Sequence, residues 1–282
     1  MDIRTYFPRH PLLRQYISYY YFLVVDDPDF NVTYYSFPNT TTPLNIHKNI
    51  ETKIEPYATS IAESKEQNNV MLVQGMRKQP LLANLKGRLD KITIHFKPLG
   101  LNQFISKPFA DIAPLDSQLF TDWCHAPGYN HFIADFYGTC DLERRVGILE
   151  AFLLSIYKPM IIDPLLINAV NALADTSNEQ NIQQIAQELG ISTKTLSRFF
   201  TKHLGITAIG FKNIARFRHS LQVNQQGKTL TDIGYESNFC DQAYFINVYK
   251  QIAGASPGAF FKSISKFADD QLVFKLLDQG TV

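Results

Sequence analysis

The sequence predicts an α+β chain of two unlike domains, a β-rich N-terminal one and an all-α C-terminal one. Three observations carry that prediction. Short aromatic and β-branched segments dominate residues 1–110. A helix-turn-helix pattern occurs twice near the end, with Ile185 and Ile233, and Ile191 and Phe239, each 48 residues apart. Charge is confined: residues 1–160 hold 16 basic and 16 acidic residues, whereas residues 181–267 hold ten Lys/Arg against four acids. At 282 residues the chain is long enough for two separate cores.

In the N-terminal part, Ile17 to Val25 is the strongest strand candidate, followed by Asn31 to Phe37, Val70 to Met76 and Lys91 to Phe96. In the last of these Ile92, Ile94 and Phe96 alternate onto one face, which puts His95 on the other, toward an interior or toward solvent. Pro98 and Gly100 close that strand. No helical pattern separates the segments, so an antiparallel barrel or sandwich is expected, a shape whose mouth can hold a small molecule. The aromatic set Tyr19, Tyr20, Tyr21, Phe22, Tyr34 and Tyr35 either stacks on a sugar or aromatic ligand or fills the core.

Asp141 is an N-cap for an amphipathic helix over about 141–157, with Leu142, Val146, Leu149, Phe152, Leu153 and Ile156 at helical spacing. Its stripe serves either a dimer contact or packing on the strands. Pro159 and Pro164 bracket its end, and Asp163-Pro164 opens a further helix to Leu173, followed by a polar loop over Asp175–Gln180. The boundary is therefore placed near 158–163. This gives an N-terminal domain over 1–160, a C-terminal domain over 161–267 and a tail over 268–282.

The two helix-turn-helix units span about 181–203 and 230–250. Each pairs a short amphipathic helix with a tight turn, at Gly190 or Asn238, and a capped second helix. Two units on one scaffold can place two helices in successive major grooves, about 34 Å apart on one face of a DNA duplex. The local positive excess agrees with a polyanionic partner.

Other classes find less support. Cys124, Cys140 and Cys240 have no metal-knuckle spacing; each is expected as a small, at least half-buried apolar residue in a reducing cytoplasm. No apolar run is long enough for a membrane span. A metalloenzyme fused to a DNA tether would have to use His47, His95, His125 and His131, which show no ligand spacing with one another or with carboxylates. No nucleophile-elbow or phosphate-loop pattern is present, so no catalytic, metal or cofactor site is expected. The other alternative is an interaction module that has lost DNA binding; Lys194, Arg198 and the local charge oppose it.

Residues of about 165–265 resemble the DNA-binding domain of AraC/XylS-type transcription regulators. The likeness rests on Ile185-Ala186, Leu189-Gly190, Ser192, Leu196, Arg198 and Phe200 in the first unit. Arg216 and Leu221 carry it through the connecting helix. Ile233, Phe239, Asp241-Gln242, Tyr244-Phe245, Tyr249-Lys250, Gly254 and Ser256-Pro257 carry it in the second unit. Ala208 stands where the family often has Pro, and Asn247 where it commonly has Arg. The resemblance implies sequence-specific binding of double-stranded DNA and a cupin-like N-terminal half that senses a small effector or mediates homodimerisation. It also implies contact with RNA polymerase if the protein activates.

On the first recognition helix Ser192 is the cap and Thr193, Lys194, Ser197 and Arg198 face outward, while Leu196, Phe199 and Phe200 turn in. Arg198 suits guanine O6 and N7, with a phosphate contact as the alternative. On the second, capped by Asp241, Gln242, Ala243, Ile246 and Asn247 face outward. Gln and Asn suit adenine and the two apolar residues suit a thymine methyl, so the second half-site is expected to be richer in A·T. Lys202, Arg218, Lys250 and Lys262 are phosphate candidates, joined by the helix termini at Ser192, Thr231 and Asp241. For any single Lys among them a solvated face is the better reading; as a set they account for the local charge excess. A connecting helix over Thr207–Val223, with Phe211, Ile214, Phe217 and Leu221 on one stripe, would hold the two units apart.

Overall fold

The computed structural model describes residues 2–112, 116–177, 180–224, 228–267 and 272–277. The N-terminal part runs β1 (Asp2–Tyr6), α1 (Pro11–Tyr16), β2 (Ile17–Val25), β3 (Asn31–Ser36), β4 (Thr42–Lys48), β5 (Ile50–Glu55) and β6 (Ala58–Glu63). It continues through β7 (Asn69–Gln74), β8 (Leu81–Lys86), β9 (Leu89–Phe96), α2 (Phe109–Ile112), β10 (Ser117–Leu119), α3 (Tyr129–Tyr137) and α4 (Leu142–Ile156). Seven helices follow: α5 (Pro164–Ala174), α6 (Ile182–Glu188), α7 (Thr193–Leu204), α8 (Ala208–Val223), α9 (Leu230–Glu236), α10 (Gln242–Ala253) and α11 (Pro257–Ser263). The hairpin strands β11 (Ser265–Phe267) and β12 (Leu272–Leu277) come last.

The strands make two separate sheets, ordered β1-β2-β9-β4-β7-β10 and β11-β12-β3-β8-β6-β5. All pairings are antiparallel except β6 with β8, which is parallel. Neither sheet closes on itself, so the expected barrel is an open pair of sheets, and the two-domain α+β class holds. Period-two alternation decides what each face buries. On β2, Tyr20 and Phe22 face the helices; on β9, Ile92, Ile94 and Phe96 do the same. The opposite face turns Leu23, Leu72 and Leu89 toward Ile61 and Leu85 of the second sheet.

Helix α4 begins where Asp141 Oδ1 accepts the amide protons of Glu143 (2.9 Å) and Arg144 (3.3 Å). Its stripe of Val146, Leu149, Phe152, Leu153 and Ile156 is buried in the core it shares with the first sheet. That face is consumed within the chain and is not left for a second copy. Arg145, buried on the same helix, donates to both carboxylate oxygens of Asp90 at 2.7 and 3.0 Å. All three cysteines are free and exposed rather than buried. Each sits in a surface turn or at a helix edge, outside the apolar stripes.

The C-terminal helices pack around α8, which starts at the cap Thr207 (Oγ1 accepting from Gly210 N, 3.2 Å). Phe211, Ile214, Phe217 and Leu221 are all buried in this core. The sequence predicts a tail after 267; the structure instead makes Leu272–Leu277 a strand that pairs antiparallel with β3, Phe274 opposite Ser36 and Leu277 opposite Thr33. Residues 268–271 and 278–282 of the expected tail, and 178–179 of the expected loop, lie outside the described residues. The chain thus returns from the helical domain to complete the N-terminal domain's second sheet.

Phe217 packs against Tyr249 (ring centroids 5.0 Å apart), Phe260 (5.5 Å) and, across the domain boundary, Phe37 (6.5 Å). Phe217→Ala is expected to cost about 3–5 kcal/mol, because a fully buried ring is replaced by a cavity that such neighbours cannot close. Urea unfolding monitored by circular dichroism checks this; a loss of under ~1 kcal/mol would contradict the packing described.

Candidate nucleic-acid interface and inter-sheet chamber

The two helix-turn-helix units repeat one another atom for atom in their turns. Gly190 N–H donates to Gln187 O at 3.0 Å and Ile191 N–H to Ala186 O at 3.0 Å. In the second unit Asn238 N–H donates to Tyr235 O at 2.8 Å and Phe239 N–H to Gly234 O at 3.1 Å. Gly190 and Asn238 both hold positive φ, 67° and 60°, the left-handed conformation that Gly takes freely and Asn tolerates. Gly234 stands where the first unit has Ala186, and a Cβ there would lie 3.4 Å from the Phe245 ring. Both first helices open on a capping box, Asn181 with Gln184 and Thr229 with Asp232.

Both second helices are capped by side chains. Ser192 Oγ accepts from Thr195 N at 3.1 Å and Asp241 Oδ1 from Tyr244 N at 2.7 Å. Both end at a left-handed glycine, Gly205 or Gly254. Aligning the caps pairs Thr193 with Gln242, Lys194 with Ala243, Ser197 with Ile246 and Arg198 with Asn247. The inward partners align equally: Leu196 with Phe245 and Phe200 with Tyr249, all buried. Thr193, Lys194, Arg198, Gln242, Ala243 and Asn247 are exposed, and Ser197 and Ile246 are half-buried at the edge of the same face.

The ten cations divide into two groups. Lys194, Arg198, Lys202, Lys250, Lys262 and Lys266 are exposed, the last with its Nζ 3.4 Å from Leu221 O. Several others serve the fold. Lys212 is buried and donates to Gln180 O. Arg216 lies over the Phe239 ring, 5.8 Å from its centroid, and Lys228 pairs with Glu236 at 2.5 Å. Arg218, a phosphate candidate from sequence, faces the other way. Its Nε donates to Pro38 O (2.7 Å) and its Nη2 to Phe37 O (2.8 Å), so two of its donors are engaged with the backbone of the N-terminal domain. Thr231 is not a helix cap either: α9 is capped by Thr229, and Thr231 is its second residue. Asp241 does cap α10, but its carboxylate holds the amide of Tyr244, which draws its pKa down and puts negative charge where a phosphate would sit.

A second feature lies between the sheets. Strands β2, β4 and β9, facing β3 and β8, wall a chamber of about 60 Å³, closed from one side by β12 and by Arg218. Lys91 and Arg77 are buried in this wall. Arg77 donates to Gln74 Oε1 (2.9 Å) and Ser36 Oγ (3.0 Å), and Lys91 Nζ reaches Tyr21 OH at 3.4 Å. His95 contacts Thr41 Oγ1 through Nδ1 at 2.9 Å and stacks on Tyr19, centroids 4.4 Å apart. Burial, then the Arg218, Lys91 and Arg77 charges, push His95 down to about 3. Burial brings Arg77 and Arg218 down to about 10, so both are charged at neutral pH.

The aromatic set therefore divides: Tyr20 and Phe22 fill the core, whereas Tyr19, Tyr21 and Tyr34 line the chamber. Sequence reasoning missed Arg77 and Lys91. For Lys91 the available signal was a cation on an alternating strand, on the face opposite Ile92 and Ile94; Arg77, past the end of β7, carried no such signal. Among the described residues no group of three or more His, Cys, Asp or Glu side chains could hold a metal ion, and no helix is long and apolar enough to cross a membrane.

Residues 185–263 match the model of a helix-turn-helix domain family, and residues 4–116 match a domain family of unknown function, DUF6597. The arabinose operon regulatory protein of Escherichia coli is 28% identical over 169 residues, 54% of this chain and 57% of the relative. That of Salmonella typhimurium is 28% identical over 122 residues, 42% of each. The chain spans about half the length of these curated relatives. Among solved structures, ToxT from Vibrio cholerae aligns over 93% of this chain and 98% of its own with TM-score 0.46 and 12% identity. ToxT with a bound unsaturated fatty acid aligns with TM-score 0.42 and 13% identity, over 85% of this chain and 95% of its own. Residues 185–263 are thus a helix-turn-helix domain, and the chain is similar in part to the arabinose operon regulatory proteins.

His95 has a further consequence. It is neutral in the fold down to about pH 3 but takes a proton near its ordinary value in the unfolded chain. Between those values the unfolded state binds more protons, so stability falls as pH drops from about 6.5, by up to ~1.4 kcal/mol per pH unit from this residue. Burial and Lys91 shift His47 in the same direction. Urea unfolding across that range is expected to show a positive slope with pH that His95→Gln partly flattens; an unchanged slope would contradict the burial of this ring.

Proposed function

We propose that the protein is a sequence-specific transcription regulator of the AraC/XylS type that sets α7 and α10 into successive major grooves of double-stranded DNA. The observation that carries this reading is the paired, register-matched exposed faces on two like-built units. Thr193, Lys194, Ser197 and Arg198 would read one half-site, and Gln242, Ala243, Ile246 and Asn247 the other. Ser192, Lys202, Lys250 and Lys262 would contact phosphate. In this reading the protein acts in the cytoplasm and is not an enzyme. Its N-terminal domain, taken as 1–160, serves control through a small effector or through homodimerisation, and RNA polymerase is a partner if the protein activates. The partial similarity to the arabinose operon regulatory proteins, 28% identical over 122 and 169 residues, supports the reading. The cupin-like comparison rests on two facing sheets with a chamber between them.

Selection of bound sequences from a random pool tests the assignment. Wild-type protein is expected to return two half-sites about one helical turn apart, the second richer in A·T. Arg198→Ala is expected to relax one position of the first half-site and cost about 1–3 kcal/mol. Lys250→Ala should instead weaken all sequences alike and reduce the salt slope by about one. Selection of no motif would overturn the reading.

A further inference from the structure

The inter-sheet chamber gathers three cations from three parts of the chain: Arg77 beyond the end of β7, Lys91 from β9 and Arg218 from α8. None of its lining residues is Asp or Glu. Among the described residues no carboxylate lies within ion-pair distance of Arg77, Lys91 or Arg218. Asp116, the acid that acts on Arg77 from farther away, sits outside the lining and accepts from Tyr57 N at 3.2 Å. The Arg77 Nε has no hydrogen-bond partner. His95, the remaining titratable nitrogen base of the lining, is held neutral by burial and then by this same positive field.

Burying like charges together is costly unless something of opposite charge shares the site. The rest of the wall is equally specific. Tyr21 and Tyr34 present hydroxyls, and Asn45, Gln74, Ser36 and Thr41 add short polar groups around the cations. The enclosed volume, about 60 Å³ or on the order of five waters, favours a short ligand over a long acyl chain. A wider cleft of about 390 Å³, lined by Thr40, Gln222 and Lys266, meets the chamber at Tyr19 and Arg218 and gives a way in.

We propose that this chamber is the binding site for a compact organic dianion, a short dicarboxylate, held between Arg77, Lys91 and Arg218. One carboxylate would take the Arg77 guanidinium with its unpaired Nε, and the other would lie between Lys91 and Arg218. Arg218 also ties α8 to the carbonyls of Phe37 and Pro38, and β12 walls the same space, so the ligand would touch the N-terminal domain, α8 and the C-terminal strand. The inference deepens the control half of the proposed function. It rests on that reading for its consequence at DNA, and not for the binding itself.

Calorimetric titration and thermal melting of the full chain without DNA test it, with malonate, succinate, butyrate, inorganic phosphate, oleate and a neutral pentose as probes. Malonate or succinate is expected to bind saturably and raise the melting temperature, with butyrate about tenfold weaker or more. Lys91→Met is expected to weaken the dicarboxylate at least about tenfold while leaving the melting temperature of the free protein unchanged or higher. Arg77→Met serves as the second variant if that one fails to fold. The assignment is overturned if no dicarboxylate binds, if phosphate binds as well as malonate, or if oleate or the pentose saturates where dicarboxylates do not. It is also overturned if Lys91→Met destabilises the free protein and leaves affinity unchanged. None of these outcomes bears on DNA binding, which the selection experiment addresses separately.

Discussion

Helix α8 is the constraint on which the arrangement depends. One stripe of it, Phe211, Ile214, Phe217 and Leu221, enters the core that also buries Leu196 and Phe200 of α7 and Phe245 and Tyr249 of α10. The same helix sends Arg218 to the backbone of the N-terminal domain. A rod fixed on one side to both helix-turn-helix units and on the other to the sheets cannot shift without moving all three. Single-residue changes at Phe217 are therefore felt in both halves of the molecule, since its ring touches Phe37 as well as Tyr249.

Charge is apportioned by the fold in a way that net counts conceal. The helical domain carries an excess of six positive charges in sequence. Lys212, Arg216 and Arg218 spend theirs inside, on carbonyls and on an aromatic face. What is left for a polyanion is a smaller exposed set concentrated on α7 and near the ends of α10 and α11. A second group of cations, Arg77, Lys91 and Arg218, sits between the sheets of a domain that is neutral overall. In the proposed reading, long-range attraction to DNA and local recognition of an anion fall to different residues of one near-neutral chain.

How much of this was legible in sequence follows from the range of the interactions. The helix-turn-helix units were read nearly to the residue, because their signals are local: a cap, a left-handed turn, a helical stripe. Asp141, Asp163, Ser192, Thr207 and Asp241 all cap as their sequence context suggested. The apolar, β-branched strand β2 and the alternating strand β9 were found, whereas β5 and β6 carry polar residues such as Glu51, Lys53 and Ser60 on their open face and were not. Open sheets in place of a barrel, and a C-terminal strand returning to β3, depend on pairings across more than 200 residues that no local pattern encodes. Arg218 shows the limit most clearly. An Arg on a basic helix next to a recognition unit reads as a phosphate contact until the fold places the carbonyls of Phe37 and Pro38 in front of it.

The central claim is that α7 and α10 act as two separate readers held on one rod. Hydroxyl-radical footprinting on a duplex carrying the selected site measures this most directly. Two protected windows about ten base pairs apart on one face are predicted, with Arg198→Ala fading the first alone and Asn247→Ala the second alone. A single window, or two that fade together with either change, would contradict it.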